Sequence, residues 1–126
     1  MKKFPFYKQP DGMDCGPTCL RMIAKYHGKS VSIEKLRELS ETTRHGSSLT
    51  GMSRAAEEIG FRTLGVKIDL LNLLENAPLP CIVLWNYKHY VVVHRLKHGK
   101  IGVADPAHGL LTFSHREFLN NWIGRH

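Results

Sequence analysis

The chain has 126 residues, of which 42% are hydrophobic and 23% charged, the composition of one soluble globular domain rather than a disordered or collagen-like chain. No apolar stretch approaches the ~20 residues of a membrane-spanning helix. The lysines at positions 2 and 3 have no apolar run behind them, so the start does not read as a secretory signal.

Eighteen Lys and Arg against eleven Asp and Glu give a net charge of +7. No basic run exceeds two residues, and there is neither a Gly-aromatic-Phe-Val strand motif nor a paired Cys/His zinc spacing. Nucleic acid is therefore not the expected partner. An acidic peptide or a membrane surface suits the charge equally well. Three cysteines are too few, and odd in number, for a disulfide framework, so the expectation is free thiols in a reducing compartment.

Residues 1–14 read as an extended lead-in. Cys15, Cys19, Met22, Ile23 and Tyr26 then lie on one helical stripe, with Asp14 at the N-cap position and Gly28 as the stop. Ser32–Ser40 is a second helix, capped by Ser32 and burying Ile33, Leu36 and Leu39. Residues 41–48 form a polar loop. A third helix spans Leu49–Ile59, with Leu49, Met52, Ala55, Ala56 and Ile59 on its apolar stripe and Gly60 after it. A short strand is expected over Phe61–Val66, then a short helix from Asp69.

After Pro78 and Pro80 the pattern changes to strands. Cys81–Trp85 is apolar throughout, residues 86–88 turn, and Tyr90–Val93 is strand-like. Turns at 97–100 and 105–109 flank a strand over 101–104, and Leu110–Phe113 is the fourth. Ser114 with Glu117 is a capping box that opens a last helix. Helices first and hairpin-linked strands second define an α+β domain, N-terminal helices packed on a C-terminal antiparallel sheet. One domain is expected over residues 1–126.

Cys15 stands at a helix N-terminus, where unpaired N–H groups and the macrodipole favour a thiolate. Position alone leaves it open between a reactive thiol and a small buried hydrophobe. Gly16 after it leaves room for a substrate backbone. Cys19, one turn deeper, and Cys81, in an apolar strand, are expected in the core. A nucleophilic thiol needs a base. Of eight histidines only His89 and His94 belong to the sheet. They are five residues apart, so on a regular strand they face opposite sides. The base needs an acceptor that orients it. In an antiparallel pair turning near 97–100, Asp105 comes level with residues around 89–93, which favours His89. Gln9 carries an amide that could supply an oxyanion donor, though its ordinary role would be that of an exposed loop residue.

Together, Gln9-x5-Cys15-Gly16-x-x-Cys19-Leu20-x-Met22-Ile23-x-x-Tyr26-x-Gly28, His89-Tyr90-Val91-Val92-Val93 and Asp105-Pro106-Ala107-x-Gly109 resemble the bacteriocin-processing cysteine peptidases, the double-glycine peptidase domains of peptide-exporting ABC transporters. The resemblance runs from Gln9 to Trp122 and takes in Ser47-Ser48-Leu49-x-Gly51 and the closing Phe118-x-x-x-Trp122-x-Gly124. It implies a compact papain-like fold and cleavage of a leader peptide after Gly-Gly or Gly-Ala, coupled to export. Matched residue by residue, it implies Cys15 as nucleophile, His89 as general base and acid, Asp105 as orienting residue and Gln9 as oxyanion-hole donor. All four are present, so an active enzyme is expected.

The implied partners are the leader peptide and the transmembrane and nucleotide-binding parts of a transporter at the cytoplasmic face of a bacterial inner membrane. No metal or cofactor is expected in this domain, with ATP confined to the separate nucleotide-binding domain. Pro17 departs from the alanine common in the family, with little effect expected in a first helical turn. The end at His126 fits a domain excised from a transporter or a stand-alone peptidase. The alternatives are a catalytically silent leader-binding module, a transglutaminase or amide hydrolase using the same triad, and a basic nucleic-acid module.

Overall fold

A computed structural model of the chain describes residues 3–65, 67–86 and 89–123. Among them the chain forms helices α1 (Cys15–Tyr26), α2 (Ile33–Ser40), α3 (Leu49–Glu58) and α4 (Leu70–Asn76). Strands β1 (Cys81–Trp85), β2 (His89–Lys97), β3 (Lys100–Asp105) and β4 (Gly109–Ser114) follow, and α5 (His115–Ile123) closes the fold.

Local side chains start most of the helices by accepting from N–H groups that the first turn leaves unpaired. Ser32 accepts from Lys35 N, Ser48 from Gly51 N and Asp69 from Asn72 N. The expected capping box is reciprocal: Glu117 N donates to Ser114 Oγ at 3.2 Å, and Ser114 N donates to Glu117 Oε1 at 2.8 Å.

Three expectations are corrected. Asp14 occupies the N-cap position of α1, but its side chain makes no capping bond. Leu49 is not in the core; it is 55% exposed at the first residue of α3. No strand forms over residues 61–65, and Val66 lies outside the described residues. The physical reason is that a strand needs a partner, and residues 61–65 pair with neither edge of the sheet, β1 or β4. Phe61 N instead donates to Ala56 O, closing α3, and Thr63 donates to Glu57 at 2.8 Å.

The strands form an antiparallel meander in the order β1-β2-β3-β4. The β2–β3 turn is the two-residue type the right-handed twist prefers, with His98 and Gly99 both at positive φ. Tyr90, Val92 and Ala104 pack with Cys19, Leu20, Met22, Leu36 and Met52 beneath α1–α3. Val91, Val93, Ile101 and Val103 pack on the other face with Leu73 of α4 and Phe118 of α5. The first three helices cover one face as expected, and the last two cover the other. Burial on both faces explains why Tyr90–Val93 carries no polar residue.

Candidate active site

Cys15 is the first residue of α1 and is buried. The residue before it fixes that helix end. Asp14, with no exposed surface, accepts Arg37 Nε and Nη2 at 2.8 Å each, and accepts from Asp11 N at 3.1 Å. The buried carboxylate thus ties the start of α1 to α2. The close packing of α3 against the same end needs Gly16. A Cβ there would stand 2.6 Å from Met52 Sδ and 3.0 Å from Ser47 Oγ. The room over Gly16 is filled by the protein itself, which corrects the expectation that it is kept for substrate.

The sheet brings the other two groups to this helix end. Val92 pairs with Ala104, so one step further Asp105, the last residue of β3, stands level with Val91 and two residues from His89. His89 Nε2 meets Asp105 Oδ1 at 2.7 Å, and His89 lies near enough to the Cys15 thiol to favour its ionised form. With Nε2 engaged by Asp105, Nδ1 is the nitrogen left for sulfur. Ala107 N donates to Asp105 Oδ1 at 2.9 Å, and His108 Nδ1 lies 3.0 Å from Oδ2. Both oxygens of this carboxylate, only 5% exposed, are therefore engaged.

The three groups shift one another's protonation. Burial pushes Asp105 up, but the hydrogen bonds from His89, Ala107 N and His108 outweigh it and bring the carboxyl down to about 2. The Asp105 and Cys15 hydrogen bonds raise His89 to about 9 against its partial burial. Burial opposes ionisation of Cys15, yet the hydrogen bonds of His89 and the Tyr90 backbone, with the imidazolium charge, leave the thiol below its ordinary value. The arrangement can hold a thiolate beside an imidazolium at neutral pH.

The remaining sequence candidates separate cleanly. Cys19 donates to Tyr90 O at 3.3 Å and is held well above the ordinary thiol range by burial, then by the charges of Cys15 and Asp105. Cys81 is half-buried, and desolvation raises it to about 11. Both are protonated packing residues. His94 stacks on Phe4 with ring centroids 4.6 Å apart, and burial lowers its pKa. Gln9 N donates to Pro106 O at 2.9 Å, which anchors the lead-in beside the Asp105 turn. Its Nε2 donates to Asp11 O at 2.8 Å, which leaves its second amide hydrogen without a partner among the described residues, and its Oε1 is buried without one. His108 escaped the sequence reading. The signal was present, because the 105–109 turn folds back, with His108 N on Asp105 O at 3.0 Å.

Helices leading into an antiparallel sheet, with a thiol at the helix end and its imidazole at the strand end, are the layout of the papain-like cysteine peptidases. The profile of the Peptidase C39 family matches residues 3–125, and the chain belongs to that family. It is 38% identical over 129 residues to LagD of Lactococcus lactis subsp. lactis, a lactococcin-G-processing and transport ATP-binding protein. It is 40% identical over 123 residues to ComA of Streptococcus pneumoniae, a transport/processing ATP-binding protein. These matches cover 98% and 92% of this chain but only 18% and 17% of those proteins, so the chain spans less than a fifth of the curated relatives.

Two solved structures share the fold. A double glycine motif protease from an AMS/PCAT transporter, in complex with the leader peptide, superposes with a TM-score of 0.92 at 30% identity, over 97% of this chain and 87% of that one. The peptidase domain of Streptococcus ComA, a bi-functional ABC transporter, gives 0.88 at 32% identity, over 97% and 94%. Among the described residues no helix is long and apolar enough to cross a membrane.

Proposed function

We propose that this chain is the active peptidase domain of a peptide-exporting ABC transporter, cutting the leader of a secreted precursor after Gly-Gly or Gly-Ala. The observation that carries the reading is the Cys15–His89–Asp105 relay, whose carboxylate and imidazole meet at 2.7 Å. In this reading the domain works at the cytoplasmic face of the membrane, beside the membrane-spanning and nucleotide-binding parts that use ATP. The domain itself uses no cofactor.

The Cys15 thiolate attacks the carbonyl carbon of the second small residue. The oxyanion forms between the free Gln9 amide hydrogen and the Cys15 N–H, one of the helix N–H groups without an intrahelical partner. The C–N bond breaks as His89 passes its proton to the leaving amine. A water, deprotonated by His89, then opens the thioester and restores the thiol. Asp105 fixes the imidazole tautomer and stabilises its charged form throughout.

Small residues are required because a narrow approach to a buried sulfur rejects side chains sterically. An apolar leader face would lie where Leu49 stands 55% exposed beside Leu64, itself 85% exposed. A Cβ on Gly65 would sit 3.6 Å from Leu49 Cδ2, which places the two segments side by side.

The test is to incubate the chain and its Cys15→Ala variant with a leader-plus-cargo peptide containing Gly-Gly and to weigh the products. A cut after Gly-Gly by the parent alone supports the reading. Binding of the peptide by both with cleavage by neither would replace it with a silent leader-binding module.

A further inference from the structure

His108 is the one member of the site that thiol chemistry does not require. Asp105 Oδ1 already serves His89 and Ala107 N, and the second imidazole occupies Oδ2 from the solvent side. One donor atom each from His89, Asp105 and His108 lies within 4.8 Å of the others. We propose that these three residues form a site for a zinc-class divalent cation, which switches the peptidase off when it binds.

The donor set selects the metal. Two imidazoles and one carboxylate suit Zn2+, Cu2+ or Ni2+, whereas Ca2+ and Mg2+ ask for six or more oxygens, many from carboxylates. Three ligands at about 2.0–2.2 Å around a tetrahedral ion stand roughly 3.3 Å apart. The three donor atoms already lie within 4.8 Å of one another, with the Asp105 oxygens 2.7 and 3.0 Å from the His89 and His108 nitrogens, so a small adjustment seats the ion. His108 can supply that adjustment, because its side chain is 70% exposed and sits on a turn. A fourth position on its solvent side remains for water.

Coordination replaces the proton between His89 Nε2 and Asp105 with the cation, and that proton goes to solvent. With the cation on Nε2, releasing the Nδ1 proton would leave an imidazolate, so the ring no longer hands a proton to the leaving amine from the nitrogen that faces Cys15. The inhibitory consequence rests on the peptidase reading above, whereas the binding site does not.

Untagged chain is titrated with ZnCl2 by calorimetry, alongside Cys15→Ala and His108→Ala, with folding of each checked by circular dichroism. The expected result is one site in the parent, retained in Cys15→Ala and weakened at least tenfold in His108→Ala. Loss of binding in Cys15→Ala with retention in His108→Ala would put the ion on the thiol and imidazole instead and overturn the proposal. Equal binding by all three would overturn it too, by placing the ion on other histidines. Cleavage by the parent is then followed against zinc, each protein's rate in EDTA serving as its own reference. Stoichiometric binding with undiminished cleavage would keep the site but refute the switch. Absence of cleavage in EDTA would instead count against the peptidase reading.

Discussion

Arg37 grips the Asp14 carboxylate with two hydrogen bonds of 2.8 Å, across from α2 to the residue immediately before Cys15. A charged group with no exposed surface is tolerable only because its partner and the Asp11 N–H satisfy it. The reactive helix end is thereby held by a bond to another helix. Replacing Arg37 by Ala leaves the buried carboxylate uncompensated. The expected outcome is a fall in Tm of more than about 5 °C, with slower alkylation of Cys15. An unchanged Tm in a thermal melt would show that the pair holds nothing.

Gln9 is expected to act on turnover rather than on binding. On the proposed mechanism Gln9→Ala removes an oxyanion donor and should lower kcat by ~100-fold, about 3 kcal/mol, with KM little altered. A variant with parental kcat would remove Gln9 from the mechanism. Its amide would then serve only to bind Asp11 O.

The pH profile follows from the directions of the two shifts. His89 is raised to about 9, so the imidazolium that protonates the leaving amine in the proposed mechanism persists to that pH and is lost above it. Cys15 is lowered, so its thiolate forms below the ordinary thiol range. Activity measured with a chelator present should therefore hold through neutral pH and fall above about 9. Asp105→Asn removes the largest contribution holding His89 up, so its alkaline limb should move to lower pH, with a reduced maximum. A limb in the same place would mean that Asp105 does not govern the imidazole.

Two glycines should respond differently to alanine. A Cβ on Gly51 would run into the backbone carbonyl of Ser40, which cannot move without parting α2 from α3. At Gly16 the nearest atom is the end of the flexible Met52 side chain. Thermal melts should therefore rank Gly51→Ala below Gly16→Ala, and both below a neutral Gly12→Ala, where a Cβ meets nothing within 4 Å.

Leu49 tests the leader surface. Leu49→Asp removes exposed apolar area without touching the core, so KM for a leader peptide should rise several-fold while kcat is kept. The same KM in both proteins would move the leader elsewhere.

The helix stripes and caps were legible because their causes are local. Serines at 32, 48 and 114 and Asp69 sit next to the N–H groups they bond. That His89 rather than His94 stands near Asp105 was legible by register, since a hairpin turning at His98 and Gly99 fixes which residues come level with Asp105. Face alone would have misled. His94 is the one that stacks into the helix-side cluster, on Phe4, while His89 works from the first residue of its strand. The same limit explains residues 61–65: strand composition was present, but they pair with no strand of the sheet.

The sequence by itself determined the helices, the four strands of the sheet and which residue types are present for acyl chemistry, because periodicity, capping and hairpin register depend on neighbours along the chain. Only the tertiary structure decided the environment of each group. It put Asp14 on Arg37 rather than on its own helix, filled the space over Gly16 with Met52, left Leu49 in solvent and brought His108 onto Asp105. Each of those outcomes depends on segments distant in sequence, or on the exact path of a turn. Charge and burial then set the protonation of Cys15 and His89 through contacts that no local pattern encodes.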